Sequence, residues 1–525
     1  MIKKIKALSL ESIFFHGCLL LGLTVVIWNP LNPTLDGPSH IYNAQLINYL
    51  VKGNRFISDY YTLNKIPAPN LADHYLLALL LNVFSWQVSE KLMSVLYLLS
   101  FPLLFRKLIK QWNDANVGLS IFAIPFSFSY LYYMGFYNFC LSFPVLFGLI
   151  IYYRKYFCDD SRQPSAWNYL LISIIATLLY FTNGLAFVIG GILLFLFEFF
   201  RWIGHFKQYR KVLLKRVLFF LLIWVPGILC FIAFLRQVHT NSGPYGLTFP
   251  ELMDWVRIVR PLLVYGVTET KYTQYFFYAA CICFLTSVYL RAKSGNLLKF
   301  YVSDSILLLS AIIFVLYLVI PDAASVGWMS VRLSYFFFIF IIMWIATQKG
   351  SKLVTWGIAI FVMIIHFKLL LRVHQPVISG LTKKVKTLEE AGKFIKPNTV
   401  MLSVDVTGDW LAYHLPDYIG ADKPVVIVDN YEANDGWFAV SWNTYTLPQM
   451  LLNGKSLAPP FDNLSPVSAS EINYIFVYGQ YDDILQKQQW ETLRKIINEE
   501  YTVTYVSPNS DIHIFSLQQS RMSDK

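Results

Sequence analysis

Long apolar runs separated by short polar or basic segments fill the first 371 residues of the chain. The clearest runs are Ile13–Trp28, Leu170–Thr182 continuing into Leu185–Phe200, Val212–Leu235, Ile306–Ile320 and Leu353–Leu371. A membrane-spanning helix needs about 20 mostly apolar residues, because lipid offers no partners for backbone polar groups. The pattern therefore predicts a polytopic α-helical membrane protein.

The basic residues of the loops predict its topology. Lys3, Lys4 and Lys6 place the N-terminus in the cytoplasm under the positive-inside rule. If Leu71–Trp86 is an interfacial helix rather than a span, the inside segments carry 20 Lys and Arg, and the outside loops before the C-terminal tail carry 7. Treating Leu71–Trp86 as a span would move the basic clusters outside.

We therefore predict about 11 transmembrane helices, with interfacial helices in a first outside loop at about residues 30–90. The spans are expected at about 12–29, 91–105, 117–134, 138–153, 166–200 (a hairpin of two), up to 235, 273–290, 302–320, 332–347 and 353–371. The expected location is a bacterial inner membrane, with the C-terminal domain extracytoplasmic.

The pattern changes after residue 371. Short β-branched runs alternate with polar and helical stretches, and the chain ends in what resembles a β-hairpin; these runs are Val400–Val404, Val425–Val428, Ile472–Tyr478, Tyr501–Val506 and Ile512–Leu517. We predict a transmembrane domain at 1–371 and a soluble α/β domain at 372–525, on the same side of the membrane as the first outside loop.

Composition agrees with lipid as the main solvent. Of 525 residues, 56% are hydrophobic and only 14% charged, where soluble domains have about a quarter charged. The net charge of +11 comes from basic loops that topology already explains, so we expect no nucleic-acid partner. The six cysteines include no C-x-x-C pair, so neither a disulfide framework nor a cysteine metal site is expected.

The segment after the first span is the most unusual of the chain. Between turn-forming prolines it places Asp36 and His40 at the outer membrane surface, and Ser39 is predicted to cap a helix running from Ser39 to Leu50. A carboxylate held there suits a general base or a ligand of a divalent metal ion. A turn Asp beside a helix-start His is also a common structural feature, and that alternative stays open.

These features resemble the GT-C superfamily of membrane glycosyltransferases, which includes protein mannosyltransferases, aminoarabinose transferases and oligosaccharyltransferases. Its members carry an essential Asp in the first outside loop, which matches Asp36. Many also have a helix of the type His-Pro-x-x-Tyr-Tyr-Leu-Leu-Leu-Ala-Leu and then an Arg-led span. The run that starts at Asp73-His74 and the span that starts at Lys91 are similar to these pieces, although Lys91 replaces Arg and the prolines are missing.

The resemblance implies inverting transfer of a sugar from a polyprenyl-phosphate donor to a glycan, lipid or protein acceptor outside the cytoplasm. Asp36 would be the base, or would bind a metal ion. The donor phosphate needs fixed positive charge, for which Arg332 at the start of the tenth span is the first candidate. Arg257 and Arg260, on a predicted interfacial helix from Pro250 to Val264, are the second.

These residues could also have purely structural roles. The arginines could extend from span ends to the interface or pair with Asp322, Glu251 or Asp254. Asp73 and His74 are expected to line the substrate site with His40, or else to face water from an interfacial helix. Several polar residues of the tail suggest sugar contacts, but an ordinary domain surface explains them equally: Asp405, Asp409, His414, Asp429 and Trp437.

Two other functions compete with sugar transfer. A transporter or flippase of a lipid-linked glycan would carry ionisable residues deep in its spans and repeat its hydropathy between halves; the spans contain few such charges and no visible repeat. A non-catalytic membrane anchor for the C-terminal domain is the third hypothesis.

Overall fold

The computed structural model describes residues 9–158, 164–204, 213–237, 246–324, 327–443 and 471–518. The chain divides into two compact units. The first, which we call the helical unit, comprises the described residues of Met1–Trp28 and Ser94–Val377. The second, the α/β unit, comprises those of Asn29–Met93 and Ile378–Lys525. The first outside loop thus packs with the C-terminal part of the chain, whereas the sequence grouped it with the spans.

The helical unit consists of helices, most of which are apolar. They are Leu10–Trp28, Trp86–Trp112 (in which the division between the units falls), Tyr137–Phe157, Ala166–Thr182, Gly184–Gly204, Leu213–Gln237, Phe249–Arg257, Thr270–Lys293, Asp304–Val319, Met329–Thr347 and Lys352–Leu369. Within the described residues, seven helical segments are long and apolar enough to cross a membrane. The chain is a multi-pass membrane protein, and the count of eleven spans stays a prediction.

The third predicted span is not one regular helix. It consists of a 3-10 helix at Asp114–Phe122 and two short α-helices at Ala123–Ser127 and Tyr130–Tyr133. The break falls where Ser129, in an extended conformation, caps the last of these by accepting a hydrogen bond from the backbone N–H of Tyr132. Side chains with local hydrogen bonds of this kind favour helix starts over helix interiors.

Aromatic side chains fill the core of the helical unit. The ring of Phe143 lies 4.8 Å from that of Tyr335 and 4.6 Å from that of Phe336. The Tyr335 hydroxyl donates to the backbone oxygen of Phe126 at 2.8 Å. Buried tyrosines need such partners, and this bond fixes the broken third segment against the helix Met329–Thr347.

The last apolar helix does not end at residue 371. Lys352–Leu369 continues through a single π-helical turn, Leu370–His374, into the helix Gln375–Gly392. The polar composition beyond residue 371 still allows a helix, because its apolar residues recur on one face and are buried, among them Ile378, Leu381, Val385 and Leu388.

The α/β unit contains a five-stranded mixed sheet of order β3-β2-β5-β7-β6. The strands are β1 (Tyr61–Leu63), β2 (Thr399–Asp405), β3 (Val425–Ile427), β4 (Val440–Trp442), β5 (Tyr474–Tyr478), β6 (Tyr501–Val506) and β7 (Ile512–Leu517). Strands β3, β2 and β5 are parallel, and β6 and β7 form the predicted hairpin. Strand β1 of the first outside loop pairs separately with β4.

Helices complete the α/β unit. They are Gly37–Val51, Arg55–Tyr60, Ala72–Leu81, Tyr418–Asp422, Asp482–Gln486 and Glu491–Glu500, with 3-10 turns at Trp410–Ala412, Leu415–Asp417, Tyr431–Asn434 and Gln488–Trp490. The predicted interfacial helix Leu71–Trp86 is shorter than expected, because it ends at Leu81 and Trp86 already begins the next helix.

Candidate active site

The helix Gly37–Val51 starts earlier than the sequence indicated. Asp36, not Ser39, occupies the N-cap position, and Pro38 lies in the first turn, where its missing N–H costs nothing. The prediction that Ser39 caps the helix is wrong, since Ser39 is inside the helix and buried. Asp36 and His40 are one turn apart, with the His40 N–H bonded to the Asp36 carbonyl at 2.9 Å. The helix dipole favours a negative charge at the Asp36 position.

Tyr42 and Asn43 attach this helix to the C-terminal part of the α/β unit. The Tyr42 hydroxyl donates to the carbonyl of Val425 at 2.9 Å and accepts from the N–H of Ile427 at 3.0 Å, so it continues the hydrogen bonding of strand β3. The side-chain amides of Asn43 and Asn430 bond reciprocally at 3.1 and 3.0 Å. These contacts bring the 3-10 turn Tyr431–Asn434 beside the helix.

A buried charge cluster results, formed by His40, Asp73, His74 and Glu432. One Glu432 oxygen lies 2.9 Å from Nδ1 of His40, and the other lies 2.7 Å from Nε2 of His74. The second nitrogen of His74, Nδ1, lies 2.6 Å from the Asp73 carboxylate. The structure thus brings three sequence-predicted residues together, and it excludes the alternative that Asp73 and His74 face water, because both are fully buried.

The charges of the cluster stabilise one another. Burial opposes the ionised form of every member, but neighbouring charges outweigh it. The pKa of His40 is raised by Glu432 and Asp73, and the pKa of His74 is raised well above its usual value by Asp73 and Glu432. Conversely, the two imidazoliums lower the pKa values of Asp73 and Glu432. These shifts favour the charged forms of both histidines and both carboxylates.

The same side chains could hold a metal ion. One ligand atom from each of His40, Asp73 and His74 lies within 4.8 Å of the others, and Nδ1 of His40 is 3.2 Å from Nε2 of His74. Two nitrogens bound to tetrahedral zinc would be about 3.3 Å apart. Imidazoles with carboxylates form a donor set that zinc accepts. Asp36, the metal ligand expected from the sequence, does not belong to this group among the described residues.

Asp36 has a different neighbour, His414. Nε2 of His414 lies 3.7 Å from an oxygen of Asp36, and Nδ1 lies 3.8 Å from an oxygen of Asp417. Burial lowers the pKa of His414 to about 4. Burial, followed by the charges of Asp429 and Glu432, raises the pKa of Asp417 well above its usual value. At neutral pH His414 is therefore uncharged, and the raised pKa of Asp417 favours the protonated form of that carboxyl.

Aromatic rings connect these three residues to the charge cluster. The Phe438 ring contacts His74 at 5.8 Å and Tyr431 at 5.9 Å between centroids, and Tyr431 in turn lies 4.9 Å from the ring of His414. The Asp36 side chain at the edge of this arrangement keeps 14% of its surface exposed. The site therefore combines a rigid, buried interior with one partly accessible carboxylate.

The three predicted arginines all lie in the helical unit. Arg332 is buried in the first turn of Met329–Thr347, with its guanidinium 4.8 Å from the centre of the Phe136 ring. The helix predicted from Pro250 to Val264 ends at Arg257, because Val259 adopts a left-handed conformation before Pro261, so Arg257 and Arg260 do not share a helix. Arg257 is exposed and pairs with Asp254 at 2.7 Å. Arg260 lies over the Tyr130 ring at 4.1 Å.

Sequence reasoning missed Glu432, which binds both histidines of the cluster. The sequence signal for Glu432 was a run of polar residues after the β-branched run of β3. In that run, only Asp429 and Trp437 suggested a sugar contact. Sequence reasoning also missed a buried pair of the helical unit, in which Nε2 of His374 lies 3.4 Å from Glu269. Glu269 accepts hydrogen bonds from the backbone N–H groups of residues 264–266.

Comparison with solved structures shows which fold the chain has. The crystal structure of ArnT from Cupriavidus metallidurans, an aminoarabinose transferase, matches 98% of this chain and 99% of its own length, with a TM-score of 0.58 at 10% sequence identity. The Archaeoglobus fulgidus oligosaccharyltransferase, solved in complex with Zn and sulfate, matches 96% of this chain and 73% of its own, with a TM-score of 0.42 at 12% identity.

No protein-family model and no curated protein sequence matches the chain. The likeness to ArnT therefore rests on the fold, along nearly the whole chain. It confirms, for the fold, the resemblance that the sequence indicated.

Proposed function

We propose that this protein is a GT-C-type glycosyltransferase that moves a sugar from a polyprenyl-phosphate donor to an acceptor on the extracytoplasmic side, with inversion. The observation that carries the proposal is the position of Asp36. On an ArnT-like fold, this carboxylate sits at a helix N-terminus beside a buried polar cluster, and it remains partly accessible.

Asp36 acts as the general base. The acceptor hydroxyl loses its proton to the Asp36 carboxylate while its oxygen attacks the anomeric carbon of the donor. The bond between that carbon and the phosphate oxygen breaks on the opposite face, so the configuration inverts and the polyprenyl phosphate leaves. General-base catalysis of this kind contributes about 10²–10⁴-fold to the rate.

The neighbouring histidines and carboxylates have a supporting part. His40, Asp73, His74 and Glu432 are too deeply buried to serve as bases, and the contacts of His40 with Glu432 hold the start of the helix that carries Asp36. A site that holds its reacting carboxylate within a few tenths of an ångström avoids the large rate losses that misplacement causes. If a metal ion binds, His40, Asp73 and His74 would hold it, and it would supply the same rigidity.

The leaving phosphate is assigned to arginines of the helical unit. Arg332 and Arg260 both hold their guanidinium groups against aromatic rings, which keeps each positive charge in place for a phosphate group. Arg257 has less support, because its guanidinium already binds Asp254. We therefore expect Arg332→Gln and Arg260→Gln to raise the KM for donor at least about tenfold, and Arg257→Gln to leave it nearly unchanged.

The test is transfer by purified protein in nanodiscs, given a panel of tritium-labelled polyprenyl-phosphate sugars and an acceptor extract of membranes. Wild type should release the label from the polyprenyl lipid, and Asp36→Asn should do so at least about 10²-fold more slowly. Asp59→Asn, an exposed aspartate of the same loop, is the matched control. Undiminished transfer by a folded Asp36→Asn protein would overturn the assignment of Asp36.

The same preparation distinguishes transfer from transport. In sealed vesicles, a flippase would move the labelled lipid across the bilayer with its sugar-phosphate bond intact. Loss of that bond in the presence of acceptor supports the transferase, and movement of the intact lipid in its place contradicts it.

A further inference from the structure

Asp36, His414 and Asp417 form a line of three polar side chains in the α/β unit. The imidazole stands in the middle, with Nε2 3.7 Å from an oxygen of Asp36 and Nδ1 3.8 Å from an oxygen of Asp417. All three side chains are largely enclosed, with exposed fractions of 14%, 10% and 5% in chain order. A residue far along the chain thus faces the carboxylate that we assign as the base.

The orientation of the His414 ring is fixed by its neighbours. Tyr413 meets it edge-on with centroids 4.7 Å apart, and Tyr431 lies against it at 4.9 Å. The ring is therefore held with one nitrogen near each carboxyl group. A solvent-facing surface histidine would have no such constraint.

The protonation states of His414 and Asp417 determine which ring nitrogen of His414 carries the hydrogen. Because burial lowers the pKa of His414 to about 4, the ring is neutral at pH 7 and carries one N–H. Burial, followed by the charges of Asp429 and Glu432, raises the pKa of Asp417 and so favours its protonated form. A protonated Asp417 carboxyl would donate its hydrogen to Nδ1, which would leave the ring hydrogen on Nε2, the nitrogen nearer Asp36.

We propose that His414 is a positioning residue that donates its Nε2 hydrogen to Asp36 and so aims the second oxygen of that carboxylate at the acceptor hydroxyl. This inference rests on the proposed function of Asp36. The present distances exceed a hydrogen bond, and catalytic hydrogen bonds often shorten only when substrate binds. In this arrangement the His414 imidazole orients the Asp36 carboxylate, and Asp417 determines which ring nitrogen of His414 carries the hydrogen.

Two isosteric substitutions test which nitrogen matters. In His414→Gln the amide nitrogen replaces Nε2 and can still donate to Asp36. In His414→Asn the shorter amide replaces Nδ1 and reaches only towards Asp417. We expect Gln to keep kcat within about threefold of wild type and Asn to lower it about 10²-fold, with the donor KM unchanged in both. His513→Gln, a histidine of strand β7 outside this line, is the control.

The outcomes separate the two claims. Equal kcat losses in His414→Gln and His414→Asn, or wild-type kcat in both, would overturn the positioning role while leaving Asp36 as base. A rise in KM instead of a fall in kcat would overturn it as well, since it would indicate substrate binding. If Asp36→Asn itself retains full activity, the proposed function fails first. Thermal unfolding of each variant confirms that it is folded, and a double variant with Asp36→Glu should show non-additive losses if the two residues act together.

Discussion

The Glu432 carboxylate lies 2.7 Å from Nε2 of His74, although 358 residues separate the two in the chain. The first outside loop supplies the histidine and the C-terminal part supplies the acid, and both side chains are fully buried. Burying either side chain in charged form without the other would be unfavourable, because an isolated charge in a protein interior has a large desolvation cost. The pair makes the two chain segments depend on each other for their folded form.

Substituting Glu432→Gln should therefore destabilise the α/β unit. The change leaves two buried imidazoles without their shared carboxylate, and breaking a buried ion pair costs about 3–5 kcal/mol. We expect a lower melting temperature in detergent, measured by intrinsic fluorescence. Glu499→Gln, an exposed acid in the helix Glu491–Glu500, is the control. An equal melting temperature for Glu432→Gln and wild type would contradict a stabilising cluster.

The contribution of the cluster should depend on pH. In the metal-free protein, the raised pKa values of His40 and His74 mean that their stabilisation is complete below about pH 6.5 and declines as pH rises through the raised values. The lowered pKa values of Asp73 and Glu432 mean that their stabilisation is complete above about pH 4.5 and declines as pH falls further.

The difference in melting temperature between wild type and Glu432→Gln should therefore be largest between about pH 4.5 and 6.5. Thermal unfolding over a pH series checks this. A difference that stays constant from pH 4 to pH 9 would mean that the charges of the cluster do not titrate as the geometry requires.

Zinc should bind the cluster and compete with its protons. By mass action, zinc at 100 times its Kd would stabilise the wild type by about 2.7 kcal/mol. The stabilisation should be larger at pH 7.5 than at pH 5.5, because the imidazoles must lose protons to become ligands. His40→Ala and His74→Ala should lose it, and His513→Ala should keep it. Equal zinc-induced shifts in all four proteins would show that zinc binds elsewhere.

Gly420 should not tolerate a side chain. A Cβ at this position would overlap the Tyr42 ring, and Tyr42 attaches the Asp36 helix to strand β3. We expect Gly420→Ala to destabilise the protein by about 1–3 kcal/mol and to reduce transfer. The matched control is Gly380→Ala, because Gly380 is also helical but has open space around its Cβ position; it should stabilise by about 0.5–1 kcal/mol. Similar effects of both changes would contradict the close packing of Tyr42.

Local sequence patterns predicted the helices and strands better than they predicted the contacts between them. The apolar runs fall on helices, and the β-branched runs fall on strands β2, β3, β5, β6 and β7, because burial of a helix or strand leaves its period in the sequence. The predicted helix boundaries were wrong where neighbouring residues could each start or end the helix. Ser39 and Asp36 are both good capping residues, and only the structure shows which one caps. Likewise, nothing before Pro261 indicated that Val259 would leave the helix.

The candidate site was half visible in the sequence. Asp36, His40, Asp73 and His74 stood out because polar groups beside apolar runs are unusual. Glu432 did not, since one acid among several after a strand looks like surface. Its role depends on tertiary pairing across hundreds of residues, which carries no local signal. His414 was noted only as one of several polar tail residues, and its alignment with Asp36 required the folded α/β unit.

The pairing of Glu432 with His40 and His74 also determines when, during synthesis of the chain, the cluster can form. At about 5–20 residues per second, the ribosome needs roughly 20–70 s to reach Glu432 after it has made His74. During that interval the helices of the helical unit after residue 93 are synthesised, and His40, Asp73 and His74 are present without Glu432. The cluster is therefore completed only after the helical unit has been synthesised, and a chain cut short before residue 432 would lack the carboxylate that joins its two histidines.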